Sequence, residues 1–248
     1  MSDDAYEFYP CLVDGAPASI YVNLKYEDAR LAEADTRYHV AVRLRDAQQY
    51  GIGGEEEAAE LDTAEEAIIG TASSTGLAYV GRIRHGGIWE STFYGPPGRE
   101  DALRRTATEA LADRDLRVVS ARDADWTYYR ELLLPDAERR QWMDDRRMVE
   151  ILREQGDVLR ARRRVDHELA FATAATRDAF VEAVARDGFT LERATERTDG
   201  ERTFVAQVSR QDPIELDHIH DVVMLLVDAA TKCGGEYERW TSSIERPT

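Results

Sequence analysis

The side chains able to bind a metal, move a proton or act as a nucleophile are few and poorly grouped. His218-Ile219-His220, with His167, is the one histidine grouping. Residues two apart on a helix point about 200° away from each other, so His218 and His220 do not chelate one ion together. No cysteine or clustered carboxylate completes a tetrahedral set. Cys11 and Cys233 lie at opposite ends of the chain, without the histidine or basic neighbour that activates a thiol. Gly51-Ile52-Gly53-Gly54 precedes a helical pattern but lacks the Gly-Lys-Ser/Thr ending of a phosphate loop, so it reads as a plain loop. Glu55-Glu56-Glu57 reads as the dipole-favoured start of a helix rather than a separated acid and base. No serine sits in a nucleophile elbow. These residues predict neither an enzyme nor a metal or cofactor site.

Two groups retain a binding reading. Arg160, Arg162, Arg163 and Arg164 could hold an anion, although a short run flanked by acids is expected to be a solvated connection. Tyr237 and Trp240 fit either a core or an interface, since Tyr and Trp anchor both. For a small-ligand site, Tyr79, Arg82, His85 and Tyr94 could converge in a groove between two domains.

The 248 residues carry 32 basic and 49 acidic side chains, a net charge of −17. That field repels nucleic acid and suits a basic protein partner. Nearly all the basic residues are arginine, Lys25 and Lys232 being the exceptions. Two distant cysteines form no disulfide framework, and no apolar run reaches the about 20 residues that span a bilayer. The N-terminal residues show no signal pattern. A cytoplasmic protein without a membrane segment is the expectation.

Hydrophobic periodicity places the elements that must position any site. Strands are predicted over 19–24, 38–44, 77–84, 87–94 and 116–121, with helices over 55–73 and 99–113. Gly86 and Gly87 suit the turn of a hairpin. Setting aside the strand at 19–24, the order is β-α-β-β-α-β. Residues 123–134, with Trp126, Tyr128 and Tyr129, form an aromatic patch that seals this half, and the polar stretch 136–145 is a connection. Met148, Val149, Ile151 and Leu152 mark a short helix stopped by Gly156. A strand at 165–171, a helix at 174–186, strands at 189–196 and 203–209 joined by a turn at Thr198-Asp199-Gly200-Glu201, a helix at 214–232 and a strand at 236–244 repeat the order. The expected fold is α+β: two tandem ferredoxin-like (βαββαβ) domains, over 1–138 and 139–248, each an antiparallel sheet with its helices on one face.

The second half resembles a known family. Gly156-Asp157, Val165-Asp166-His167 leading to Phe171, Phe180, Gly188-Phe189 and Gly235-Glu236-Tyr237-Glu238-Arg239-Trp240 are similar to the regulator of ribonuclease E activity B family. That family has Asp-Gly where this chain has Glu238 and Arg239. The resemblance implies a ferredoxin-like domain that binds an endoribonuclease and inhibits RNA cleavage, with Asp166, His167, Tyr237 and Trp240 as the partner-binding residues. In the first half, Tyr79-Val80-Gly81-Arg82, Phe93-Tyr94 and Trp126-Thr127-Tyr128-Tyr129 through Leu134-Pro135 are similar to the domain-of-unknown-function 695 family, which implies no activity. The function expected is a non-catalytic regulatory or interaction protein acting on a basic protein such as a ribonuclease. The alternative is a small-ligand binder or enzyme with its site in the interdomain groove.

Overall fold

A computed structural model of the chain describes residues 4–198 and 200–246. The chain divides into two units, residues 1–140 and 141–248. Each is α+β and built on one antiparallel sheet, of six strands in the first and four in the second.

The first unit contains β1 (Tyr6–Val13), β2 (Ala16–Asn23), β3 (Thr36–Arg43), α1 (Glu55–Ser73), β4 (Ala78–His85), β5 (Ile88–Gly95), α2 (Glu100–Ala110) and β6 (Leu116–Arg122). Its strand order is β1-β2-β4-β5-β3-β6. β1 is absent from the sequence reading, and it makes the sheet six strands wide rather than four. Asp14-Gly15 is the turn that joins it to β2: both residues have positive φ, and Val13 pairs directly with Ala16. Such a two-residue turn matches the right-handed twist of its strands. Gly86 and Gly87 close the β4–β5 hairpin in the same way, as their types require.

Alternation along β3 sends Tyr38, Val40 and Val42 toward α1 and α2, where they form one core with Leu61, Ile68, Leu103 and Ala107. The opposite face of the sheet is covered by residues 123–134. Trp126 is buried there, stacked on Tyr94 at 4.2 Å between ring centroids. Its indole N–H donates to the Ala34 carbonyl, the Tyr129 hydroxyl to that of Asn23, and the Tyr9 hydroxyl to that of Leu133. The aromatic residues of this segment therefore close a second apolar layer, and Tyr129–Leu133 wind as a π-helical turn.

The stretch read as a polar connection up to Asp145 is helical. Ala137–Glu154 form a single helix, α3, which Gly156 ends with φ 83°. Its polar residues are an outward face, while Met143, Val149 and Leu152 are buried. There follow β7 (Arg163–Phe171), α4 (Ala174–Ala185), β8 (Thr190–Glu196), β9 (Phe204–Asp212), α5 (Leu216–Lys232) and β10 (Glu236–Ser242), with strand order β10-β7-β9-β8. Of the turn predicted between β8 and β9, Asp199 lies outside the described residues. Val165, Leu169 and Phe171 pack with Phe180, Val184, Ile219, Val223 and Leu226 on one face. The other face carries ion pairs between strands, among them Arg164 with Glu192 and Arg239 with Glu168.

Gly235 has no room for a side chain. A Cβ there would lie 2.2 Å from Cε1 of the buried Phe171 ring. Gly70, on the exposed side of α1, has nothing within 4 Å of its Cβ position. Gly235→Ala is expected to lower stability by about 1–3 kcal/mol through overpacking, whereas Gly70→Ala raises it by up to about 1 kcal/mol through helix propensity. Denaturant midpoints of the two variants check this pair.

Candidate functional site

Asp145 lies on the inward side of α3 and is 1% exposed. Its carboxylate joins three elements. Oδ1 accepts from the Trp240 indole of β10 and from the Gln141 amide one turn earlier, both at 3.0 Å, and Oδ2 meets His220 Nδ1 of α5 at 2.9 Å. Side chains thus supply three polar partners to a carboxylate taken out of water. Beside this anchor, α3 and β10 border an open depression of about 270 Å³. Met148 and the exposed Ile151 give it an apolar side, and Asp144, Arg147, Glu238 and Arg239 give it a charged rim.

The four residues proposed to meet a partner take different positions around β10 and β7. Trp240 is buried at the depression, with its ring edge held by Asp145. His167 is fully buried on the helix side of β7, and its Nδ1 lies 2.9 Å from the Tyr237 hydroxyl. Asp166 is on the opposite face, where it accepts from Arg164. β10 carries a bulge between Tyr237 and Arg239, formed with no left-handed residue in the strand. The chain needs no glycine at Arg239 to make it.

The arginine run is not a solvated connection throughout. Arg163 is buried, paired with Asp157 and donating to the Val158 carbonyl. Asp157 in turn accepts from the Glu245 amide, so the pair fixes the chain beyond β10. Sequence reading missed this because a charged run gives no sign of which member turns inward.

Tyr79, Arg82, His85 and Tyr94 do not come together. Tyr79 and Arg82 both donate to Glu65, a buried carboxylate of α1 that also accepts from Trp89 and Ser91. Burial, and then the Glu65 charge, push the Tyr79 phenol well above its ordinary pKa. His85 is at the end of the β4–β5 hairpin, and Tyr94 is on the opposite face of the sheet, donating to Asp123. His218 meets Asp212 at 2.9 Å and His220 meets Asp145. Among the described residues, no group of three or more His, Cys, Asp and Glu side chains could hold a metal ion.

Each unit also buries one histidine against the cost of charging it. Burial lowers the pKa of His39 to about 4 despite the nearby Glu90 carboxylate, and lowers that of His167 to about 4 despite Asp212. The unfolded chain takes up these protons near the ordinary histidine value of about 6.5, before the folded chain does, so stability falls as pH drops through that window. Each histidine is expected to cost roughly 3 kcal/mol once pH reaches the folded value. Carboxylates titrate lower, so the part of the loss above about pH 5 reports the histidines. A denaturation midpoint that stays flat from pH 7 to about 5 contradicts this. Asp145→Ala, which strands the Trp240 and His220 nitrogens, should cost about 3 kcal/mol.

Comparison with known proteins follows the division of the chain. A family described as "Family of unknown function (DUF695)" matches residues 4–134, and "Regulator of ribonuclease activity B" matches residues 142–242. No curated protein matches the chain. Among solved structures, 84% of the chain is similar to 98% of a protein designated a glycine cleavage system transcriptional repressor, at 10% identity and a TM-score of 0.26. Likewise 86% is similar to all of an unknown protein from Galdieria sulphuraria, at 10% identity and a TM-score of 0.24. Neither likeness bears on fold or function at such scores. No helix among the described residues is long and apolar enough to cross a membrane. The match over residues 4–134 covers more than half of the sequence, and the chain belongs to the DUF695 family, while residues 142–242 are similar to the regulators of ribonuclease activity B.

Proposed function

We propose that the protein is a non-catalytic regulator that binds an endoribonuclease through its second unit and restrains RNA cleavage. The match of residues 142–242 to the regulators of ribonuclease activity carries this reading. In support of a ferredoxin-like fold for that unit, its order is β-α-β-β-α-β with strands arranged β10-β7-β9-β8. Four strands of the first unit, β4-β5-β3-β6, follow the same scheme, with the β1–β2 hairpin added beside β4. A non-catalytic role fits the way the buried carboxylates Asp145 and Glu65 are each committed to hydrogen bonds that tie elements of the fold together.

The partner is a basic protein surface rather than RNA, as the net charge of −17 favours. The surface it meets is the depression between α3 and β10, where Ile151 is exposed beside Trp240. Asp166 presents charge on the neighbouring sheet face, while His167 and Tyr237 act from within by holding β10 to β7. The protein works in the cytoplasm, where such a partner is found.

Purified protein is expected to slow RNA cleavage by an RNase E-type endoribonuclease at low salt and to lose that effect at high salt, because screening weakens charge-steered association. Ile151→Glu alters only an exposed side chain and is expected to weaken inhibition by about tenfold, equivalent to one missing apolar contact. Cleavage rates that are indifferent to the protein at both salts contradict the reading.

A further inference from the structure

The first unit carries a second depression, of about 490 Å³, on the sheet face covered by residues 123–134. Arg37, Arg122, Thr127, Tyr128, Glu131 and Leu132 line it together with Asp123. Its cations differ from three arginines at two other depressions. Arg147 hydrogen-bonds Asp144, Arg239 bonds Glu168, and Arg30 bonds Asp125 and the Ala124 carbonyl. Arg37 and Arg122 come within only 3.8 and 3.7 Å of carboxylates and make no hydrogen bond among the described residues. The Nε of Arg37 is buried without a partner.

Asp123 pairs with Arg37 only at 3.8 Å, without a hydrogen bond, because its oxygens are engaged elsewhere. It already accepts from the Tyr94 hydroxyl at 2.5 Å, the Thr127 amide at 2.8 Å and the Tyr128 amide at 3.1 Å. Glu131 has no ion pair and the Thr127 hydroxyl no hydrogen bond among the described residues. The guanidinium of Arg37 lies over the Tyr128 ring, 4.6 Å from its centroid, and the Tyr128 hydroxyl donates to Glu90 at 2.6 Å. A planar cation is therefore held in place from one side, ion-paired at a distance and without a hydrogen bond among the described residues. The surrounding backbone is unusual as well. Trp126 has φ 56°, rare for a bulky residue, and the π-helical turn Tyr129–Leu133 follows at once. Such departures persist where packing over-determines them and are common at binding sites.

From these features we propose that the depression binds a small molecule through its carboxylate group. The carboxylate pairs with the Arg37 guanidinium, whose planar fork matches it. The Thr127 hydroxyl supplies a further donor, Arg122 adds charge, and Leu132 borders the remainder of the ligand. Unpaired Glu131 offers a place for an ammonium group, so the carboxylate comes from either a simple organic acid or an amino acid. The site lies wholly in the first unit and stands independently of the ribonuclease reading.

Amide NMR titration of the full chain with sodium acetate, alanine and inorganic phosphate tests the proposal. Saturable shifts of the amides at 127–132 with acetate or alanine are expected, and Arg37→Gln should weaken that binding by about tenfold or more. Arg122→Gln changes an exposed side chain, leaves the fold unaffected and should weaken binding to a smaller degree. Glu131→Gln weakening alanine alone identifies an amino acid as the ligand class, and equal binding of acetate and alanine to it identifies a simple acid. The proposal is overturned by an absence of saturable shifts with both carboxylates, by titrations unchanged in Arg37→Gln, or by phosphate binding as tightly as either.

Discussion

The second unit depends on a carboxylate taken out of water. Asp145 could not remain buried without its three partners, and those partners come from α3, α5 and β10. One acidic side chain thereby fixes where β10 and α5 stand relative to α3. An unpaired charge in such a place costs several kcal/mol, so the three elements are positioned together or not at all. The depression beside Trp240 has a definite shape because the indole is held at its N–H and the ring has no freedom to turn away.

The first unit arrives at the same device independently. Glu65 of α1 is buried against the sheet and accepts from Tyr79, Arg82, Trp89 and Ser91, and Arg82 lies 4.1 Å over the Trp89 ring. In both units a helix carboxylate receives a strand tryptophan. Buried polar atoms without a hydrogen bond among the described residues include Arg37 Nε on the opposite sheet face and His167 Nε2 in the second core.

Much of this was legible in the residues because period and punctuation speak directly to local structure. Val165, His167, Leu169 and Phe171 alternate as a strand requires, and Gly86-Gly87 marks a hairpin that the structure contains. The β1 strand escaped notice although Asp14-Gly15 signals a hairpin equally well. Pro10 and Cys11 interrupt its alternation, and its residues are partly exposed at a sheet edge. The polar face of α3 concealed a helix for a different reason: an amphipathic helix whose exposed side is crowded with charge resembles a linker until its buried positions, Met143 and Val149, are counted. Side-chain partnerships were the least legible. Nothing in the sequence says that Asp145 meets His220 and Trp240, since a polar contact across 75 or 95 residues leaves no local periodicity.

On our proposal, the second unit recognises an endoribonuclease with the surface between α3 and β10. Hydrogen exchange of the full chain, alone and with a saturating amount of an RNase E-type endoribonuclease, measures this most directly. The account predicts added protection confined to amides of residues 144–151 and 238–241, with the first unit unchanged. Protection that leaves those segments unaltered and falls on another surface, or no protection anywhere, would contradict it.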